Sequence, residues 1–276
     1  MKVFVTGASG YIGGATVAAL RRHGHVVEAL ARTDVAAAAV TESGATPVRG
    51  GLADLDVLTA AAQQADAVIH LAQADSGEAD LAAATAMQGN GTYVHTGGTW
   101  VYGDTSGIAD EDAPWNPPAL VAWREEVEAK VLAGGGVVIR PGLLYGRENR
   151  LIDVFFTQPG RAAGAIPYIG DGANHWSLVH VDDLADLYVA ALEARPGSVY
   201  LGVGGVDPTA REVATALSHG AGLEGRTAAL SLEEARTRMG PIADAFALDQ
   251  RFTPARAQAE LGWTPKHTDP LAEFAR

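Results

Sequence analysis

The sequence predicts an α/β protein built on a doubly wound parallel sheet. Three observations predict it. The chain opens on a short apolar run, Val3–Val5, followed by glycines at 7, 10 and 13 and then an amphipathic stretch. Apolar runs go on alternating with helical patterns as far as Thr96. One of them, AVIHLA at 67–72, is apolar almost throughout, as a parallel strand covered on both faces must be.

Each element has its own local reason. Gly7 lets the chain reverse, Gly10 lets a pyrophosphate approach the backbone, and Gly13 lets a helix pack on the strand. The helix N-terminus that follows is a place for phosphate. Helix one is expected from Tyr11 to His23, with Gly24 as its stop. Val26–Leu30 reads as strand two. The carboxylate that usually meets the adenosine ribose is missing there: Ala31 holds that place and Arg32 follows. That favours a 2′-phosphate, with a solvated loop cation as the other reading of Arg32. Val35–Ser43 reads as a helix and Pro47–Arg49 as strand three. Asp54 is expected to cap the next helix. Strand four covers 67–72, with His70 read as a core histidine, and strand five covers Thr92–Thr96.

After the prolines at 114, 117 and 118, a helix is expected over Ala119–Leu132, then strand six at Val137–Arg140. Residues 143–172 read as an irregular stretch over a site. A helix is expected at Asp182–Glu193 and a strand at Val199–Val203. Asp207-Pro208 is expected to start one helix, Ser231 to open a capping box on another, and Thr253-Pro254 to start the last, ending at Gly262.

Composition excludes several classes. The chain has 276 residues, no cysteine and a net charge of −13. Disulfides, thiolate catalysis and cysteine metal sites are out, and a reducing cytoplasmic location is expected. The acidic balance opposes a nucleic-acid surface. No apolar run approaches a membrane span, and no signal peptide is visible. No metal is expected either: His180, Asp182 and Asp183 fall at a helix start that accounts for their acidity.

By these motifs the chain resembles the extended short-chain dehydrogenase/reductases, the group of NAD-dependent epimerases, dehydratases and related reductases. The matching pieces are TGASGYIG at 6–13, HLA at 70–72, WVYGD at 100–104, RPGLLYG at 140–146, HVDDLADLYVAALE at 180–193 and AELGWTP at 259–265. The resemblance implies a Rossmann lobe, 1–142 plus 178–206, and a smaller C-terminal substrate lobe, 143–177 plus 207–276. It places Gly7, Ser9, Gly10, Tyr11, Ile12 and Gly13 at the pyrophosphate and Arg32 at the adenosine phosphate. Asp54 and Leu55 fall near adenine, and Leu71, Ala72, Gln73 and Thr96 along the cofactor groove. NADP is expected over NAD, with a small-molecule substrate and a possible homodimer.

The departure from the group is chemical. Its usual tyrosine and lysine, four residues apart, are absent: the three lysines, at 2, 130 and 266, follow no tyrosine at that spacing. Aligned on Glu128, Leu120 takes the tyrosine place and Arg124 the lysine place. The usual serine falls on Gly98, leaving Thr96 and Thr99 as flanking hydroxyls. Three accounts fit. Hydride still moves, with the proton from water or from Thr99, Tyr102, Tyr145, Tyr168 or His175, and Arg124 keeping the ribose contact. Or a non-redox isomerisation, epimerisation or dehydration occurs. Or the chain is an NADP-binding regulator.

Overall fold

The structure, a computed structural model, describes residues 1–89, 91–147 and 150–276. Its strands are β1 (Lys2–Thr6), β2 (Val26–Ala31), β3 (Thr46–Arg49), β4 (Ala67–His70), β5 (Thr92–Thr96), β6 (Ile108–Ala109) and β7 (Val137–Pro141). They continue with β8 (Leu143–Tyr145), β9 (Ile166–Ile169), β10 (Leu178–His180), β11 (Val199–Gly202), β12 (Thr227–Leu230) and β13 (Arg251–Phe252). Seven of them form one parallel sheet in the order β11-β7-β5-β4-β1-β2-β3. The other six form three parallel pairs, β10 with β8, β12 with β9 and β13 with β6.

Helices α1 (Tyr11–Arg22), α2 (Asp34–Glu42), α3 (Leu55–Gln63), α4 (Gly77–Met87) and α5 (Arg124–Ala133) connect the central strands. Alternation along β1 assigns the layers. Val3 and Val5 face a core shared with α1 and the later helix Val181–Ala190. Phe4, between them, faces a core shared with α3, α4 and α5. The strand order turns back between β1 and β4, and in such sheets ligands bind at the carboxyl ends of the strands beside that point. A further apolar core joins Tyr145, Phe156, Trp176, Val213 and Phe246. Among the described residues no helix is long and apolar enough to cross a membrane.

Four expectations shift. The helix foreseen over 119–132 divides into a 3-10 turn at Ala119–Val121 and α5, which starts at Arg124. The 3-10 turn closes on the Pro118 carbonyl, and Trp123 then packs against Gly77 of α4. The helix foreseen at Asp207-Pro208 starts later, at Ala210, because Thr209 and Glu212 form a reciprocal capping box. Within 143–172, the described residues hold β8, helical turns from Arg150 to Ala163 and β9. Gly160 allows a close approach: an added Cβ would stand 2.4 Å from Ile166 Cδ1. Asp54 precedes α3 without capping it; its carboxylate accepts the Gly51 N–H at 2.8 Å instead.

Candidate active site

The turn after β1 is shaped by what it lacks. Gly7 has φ +74, and a Cβ there would stand 2.7 Å from Ala72 N. A Cβ on Gly13 would stand 2.0 Å from the Gly7 carbonyl oxygen. Gly10 is the N-cap of α1, and no side chain caps that helix. Ser9 and Gly10 are exposed. A bare helix N-terminus behind a backbone cradle that no side chain could share suits a pyrophosphate, so the residues fit a dinucleotide.

Arg32 leaves the end of β2 into solvent and has no hydrogen-bond or ion-pair partner among the described residues. Its aliphatic stem passes Gly51, where an added Cβ would lie 3.6 Å from Arg32 Cδ. Asp54 and Leu55 are exposed beside it. The Tyr11 hydroxyl turns away from the turn and donates to the Gly146 carbonyl beyond β8. Burial pushes that phenol well above its ordinary value.

A cleft of about 440 Å³ opens at the carboxyl ends of β4, β5 and β7. Ile12, Leu71, Ala72, Gln73 and Thr96 line one part of it. Thr99, Leu120 and Arg124 line another. Leu120 and Arg124 thus share the wall where the family resemblance puts a tyrosine and a lysine. Arg124 donates to the Thr96 carbonyl at 2.9 Å and lies over the Trp123 ring at 4.6 Å. The Thr96 hydroxyl is engaged, donating to the His70 carbonyl at 2.8 Å and meeting the Tyr188 hydroxyl at 2.7 Å.

Four foreseen proton-donor candidates are not brought to this cleft. Tyr102 is buried beneath Trp115 and Phe252, takes a hydrogen bond from Arg140 and donates to the Glu111 carbonyl. Burial pushes its phenol up to about 12. Tyr168 lies on β9 under the Arg211 guanidinium, 5.2 Å away. His175 Nδ1 meets Asp249 at 2.8 Å. Tyr145 is likewise buried, donating to the His267 carbonyl.

Sequence reading missed Asp80 and His95. Asp80, in the first turn of α4, reaches the cleft lining. Behind it stand His70, at the end of β4, and His95, on β5, all three buried. Burial pushes the Asp80 carboxyl up, but the facing His70 and His95 imidazoles and the Ala74 N–H outweigh it and hold it below the usual carboxylate range. Burial, with His70 beside it, drives the His95 imidazole down to about 3. No spacing rule joins these residues, because they come from two strands and a helix that are neighbours only through sheet order.

The profile of the NAD dependent epimerase/dehydratase family matches residues 3–202. An uncharacterised protein of Schizosaccharomyces pombe is 30% identical over 292 residues, covering 100% of this chain and 98% of its own length. A Stigmatella aurantiaca enzyme named as a 4-hydroxy-2-methyl-3-oxo-4-farnesyl-3,4-dihydroquinoline-1-oxide ketoreductase is 30% identical over 267 residues, 86% of this chain and 78% of its own. A double mutant of a dTDP-glucose 4,6-dehydratase from Streptomyces venezuelae, solved with NAD and DAU bound, matches with TM-score 0.82 at 23% identity. That match covers 100% of this chain and 96% of its own, and is a likeness of fold. With a parallel sheet, a dinucleotide turn and a family match over most of its length, the chain belongs to the NAD dependent epimerase/dehydratase family and is an NAD(P)-dependent enzyme of the oxidoreductase or epimerase/dehydratase type.

Proposed function

We propose that the enzyme is an NADP(H)-dependent oxidoreductase acting on a small carbonyl or hydroxyl compound without a Tyr-x-x-x-Lys pair. The observation that carries this reading is the shared cleft: Ile12 of the glycine turn, Leu120 and Arg124 line one cavity. The nicotinamide end of the cofactor and the substrate must fit together in about 440 Å³, which favours a compact substrate. The unpartnered Arg32 beside Gly51 supports a 2′-phosphate, hence NADP.

When bound, the cofactor supplies or accepts hydride. The chain's own residues do the rest. The glycine turn and the α1 N-terminus hold the pyrophosphate. Arg124, with a permanent charge and several N–H donors, orients the substrate oxygen and favours charge on it. Leu120 cannot pass a proton, and no tyrosine, lysine or histidine lines the cleft among the described residues. The proton therefore comes from water or from the Thr99 hydroxyl at the cleft wall.

The test is a fluorescence titration with NADPH and NADH, followed by a panel of small carbonyl compounds scored by NADPH oxidation. Tight NADPH binding with turnover supports the reading. Binding without turnover of any member turns it toward a non-redox isomerase or dehydratase, or toward a regulator. Equal affinity for the two cofactors removes the role given to Arg32.

A further inference from the structure

We propose that His70, Asp80 and His95 form a binding site for one divalent transition-metal ion beneath the cleft. Their ligand atoms, two imidazole nitrogens and a carboxylate oxygen, all lie within 4.8 Å of one another. They gather at ion-pair rather than hydrogen-bond distance. His70 Nε2 stands 3.7 Å from Asp80 Oδ1, and His95 Nε2 stands 3.8 Å from Asp80 Oδ2. Ordinary hydrogen bonds would close those gaps to roughly 2.7–3.2 Å. His70 Nε2 is fully buried and has no hydrogen-bond partner. Leaving such an atom unsatisfied is costly unless something else fills the space.

The opposite edge of each ring is already held. His70 Nδ1 meets the Thr6 hydroxyl at 2.6 Å, and His95 Nδ1 meets the Tyr93 hydroxyl at 3.2 Å. Metal-binding histidines are held this way: an outer partner on one nitrogen fixes the tautomer and turns the other toward the ion. Asp80 is also braced, accepting the Ala74 N–H at 3.0 Å. Two bonds of about 2.1 Å to a common ion span at most about 4.2 Å, so the side chains draw in by several tenths of an ångström on binding. Two imidazoles and one carboxylate suit zinc, cobalt, nickel or ferrous iron rather than magnesium or calcium. The Arg124 charge, which acts on the same carboxylate, opposes the ion and moderates its affinity.

Asp80 gives the ion access, because it lines the cleft while the two histidines lie behind it. An ion there would acidify a bound water, the service that Leu120 in the tyrosine position withholds. That use rests on the oxidoreductase reading; metal binding itself does not.

The experiment is a Co²⁺ titration of chelator-stripped, full-length protein, read by visible absorption, with Zn²⁺ and Mg²⁺ as competitors. One Co²⁺ per chain, displaced by Zn²⁺ and not by Mg²⁺, is expected. Asp80→Asn keeps the acceptor for Ala74, and both it and His95→Gln should weaken binding at least about 10-fold. His180→Gln, at a separate histidine pair, should leave it unchanged. Circular dichroism checks that each variant is folded, and the wild-type titration decides even where one is not. No uptake by the wild type overturns the proposal, as does uptake that survives both Asp80→Asn and His95→Gln or disappears in His180→Gln. None of these readings uses NADPH or a substrate, so failure here and failure of the oxidoreductase reading are separate results.

Discussion

At Gly13 one added carbon would stand 2.0 Å from a backbone oxygen; at Gly98, in the cleft wall, the same carbon would meet nothing within 4 Å. The first belongs to the glycine turn between β1 and α1, and the second to the wall of the cleft. Packing explains the difference. The turn must bring β1, α1 and the end of β4 together with no room between them, so its glycines are fixed by the fold. Gly98 faces open space, so other residues are sterically admissible there.

Substitutions can break or sharpen that contrast. The largest effect is expected from Gly13→Ala, which forces the turn apart at a cost of about 3 kcal/mol or more. A fall of Tm and loss of NADPH binding beyond about 100-fold would show it; unchanged binding would mean that the turn is not tight. Next comes Arg124→Ala, which removes a charged donor from the Thr96 carbonyl and from the cleft. A drop of roughly 10–100-fold in kcat/KM is expected, with Leu120→Ala within a few-fold of wild type. If Leu120→Ala fell as far, the wall would act through shape rather than charge.

Arg32→Ala should weaken NADPH by about 10-fold and leave NADH nearly unchanged, as separate titrations would show. A smaller effect concerns pH. Burial and the stacked His267 ring lower the His180 imidazole below its ordinary value. The unfolded chain therefore binds the proton more readily, and stability present above about pH 6.5 is lost as pH falls toward the folded-state value. Tm measured from pH 7.5 to 5.5 should decline, and His180→Gln should flatten the decline. Gly98→Ser, at the place of the family's usual serine, should be the mildest, within about 0.5 kcal/mol of wild type by denaturant unfolding.

What could be read from the sequence follows the same division. The glycine turn, the seven central strands and the Ser231 capping box are local features, each set by a few neighbouring residues, and the structure forms all of them. Leu120 and Arg124 both line the cleft, although the helix expected to carry them together is broken between them. Tyr168 and His175 do not line it. Residues expected to drape over the cleft fold into helical turns and β9, and only Leu151 among the described residues of that stretch beyond β8 reaches the cleft lining. Asp80 and His95 were illegible for the opposite reason: each looks like an ordinary core position, and their meeting depends on sheet order.

The order of the chain has a consequence during synthesis. The apolar side of α1 is covered by the helix Val181–Ala190, and β7 waits for β11 at its open edge. Both partners are encoded long after α1 itself. At ordinary translation rates of about 5–20 residues per second, the nascent chain spends roughly 10–30 s with Ala15, Ala19 and Leu20 uncovered. During that interval the first half is complete as a sequence but unfinished as a surface, and slower elongation lengthens the exposure.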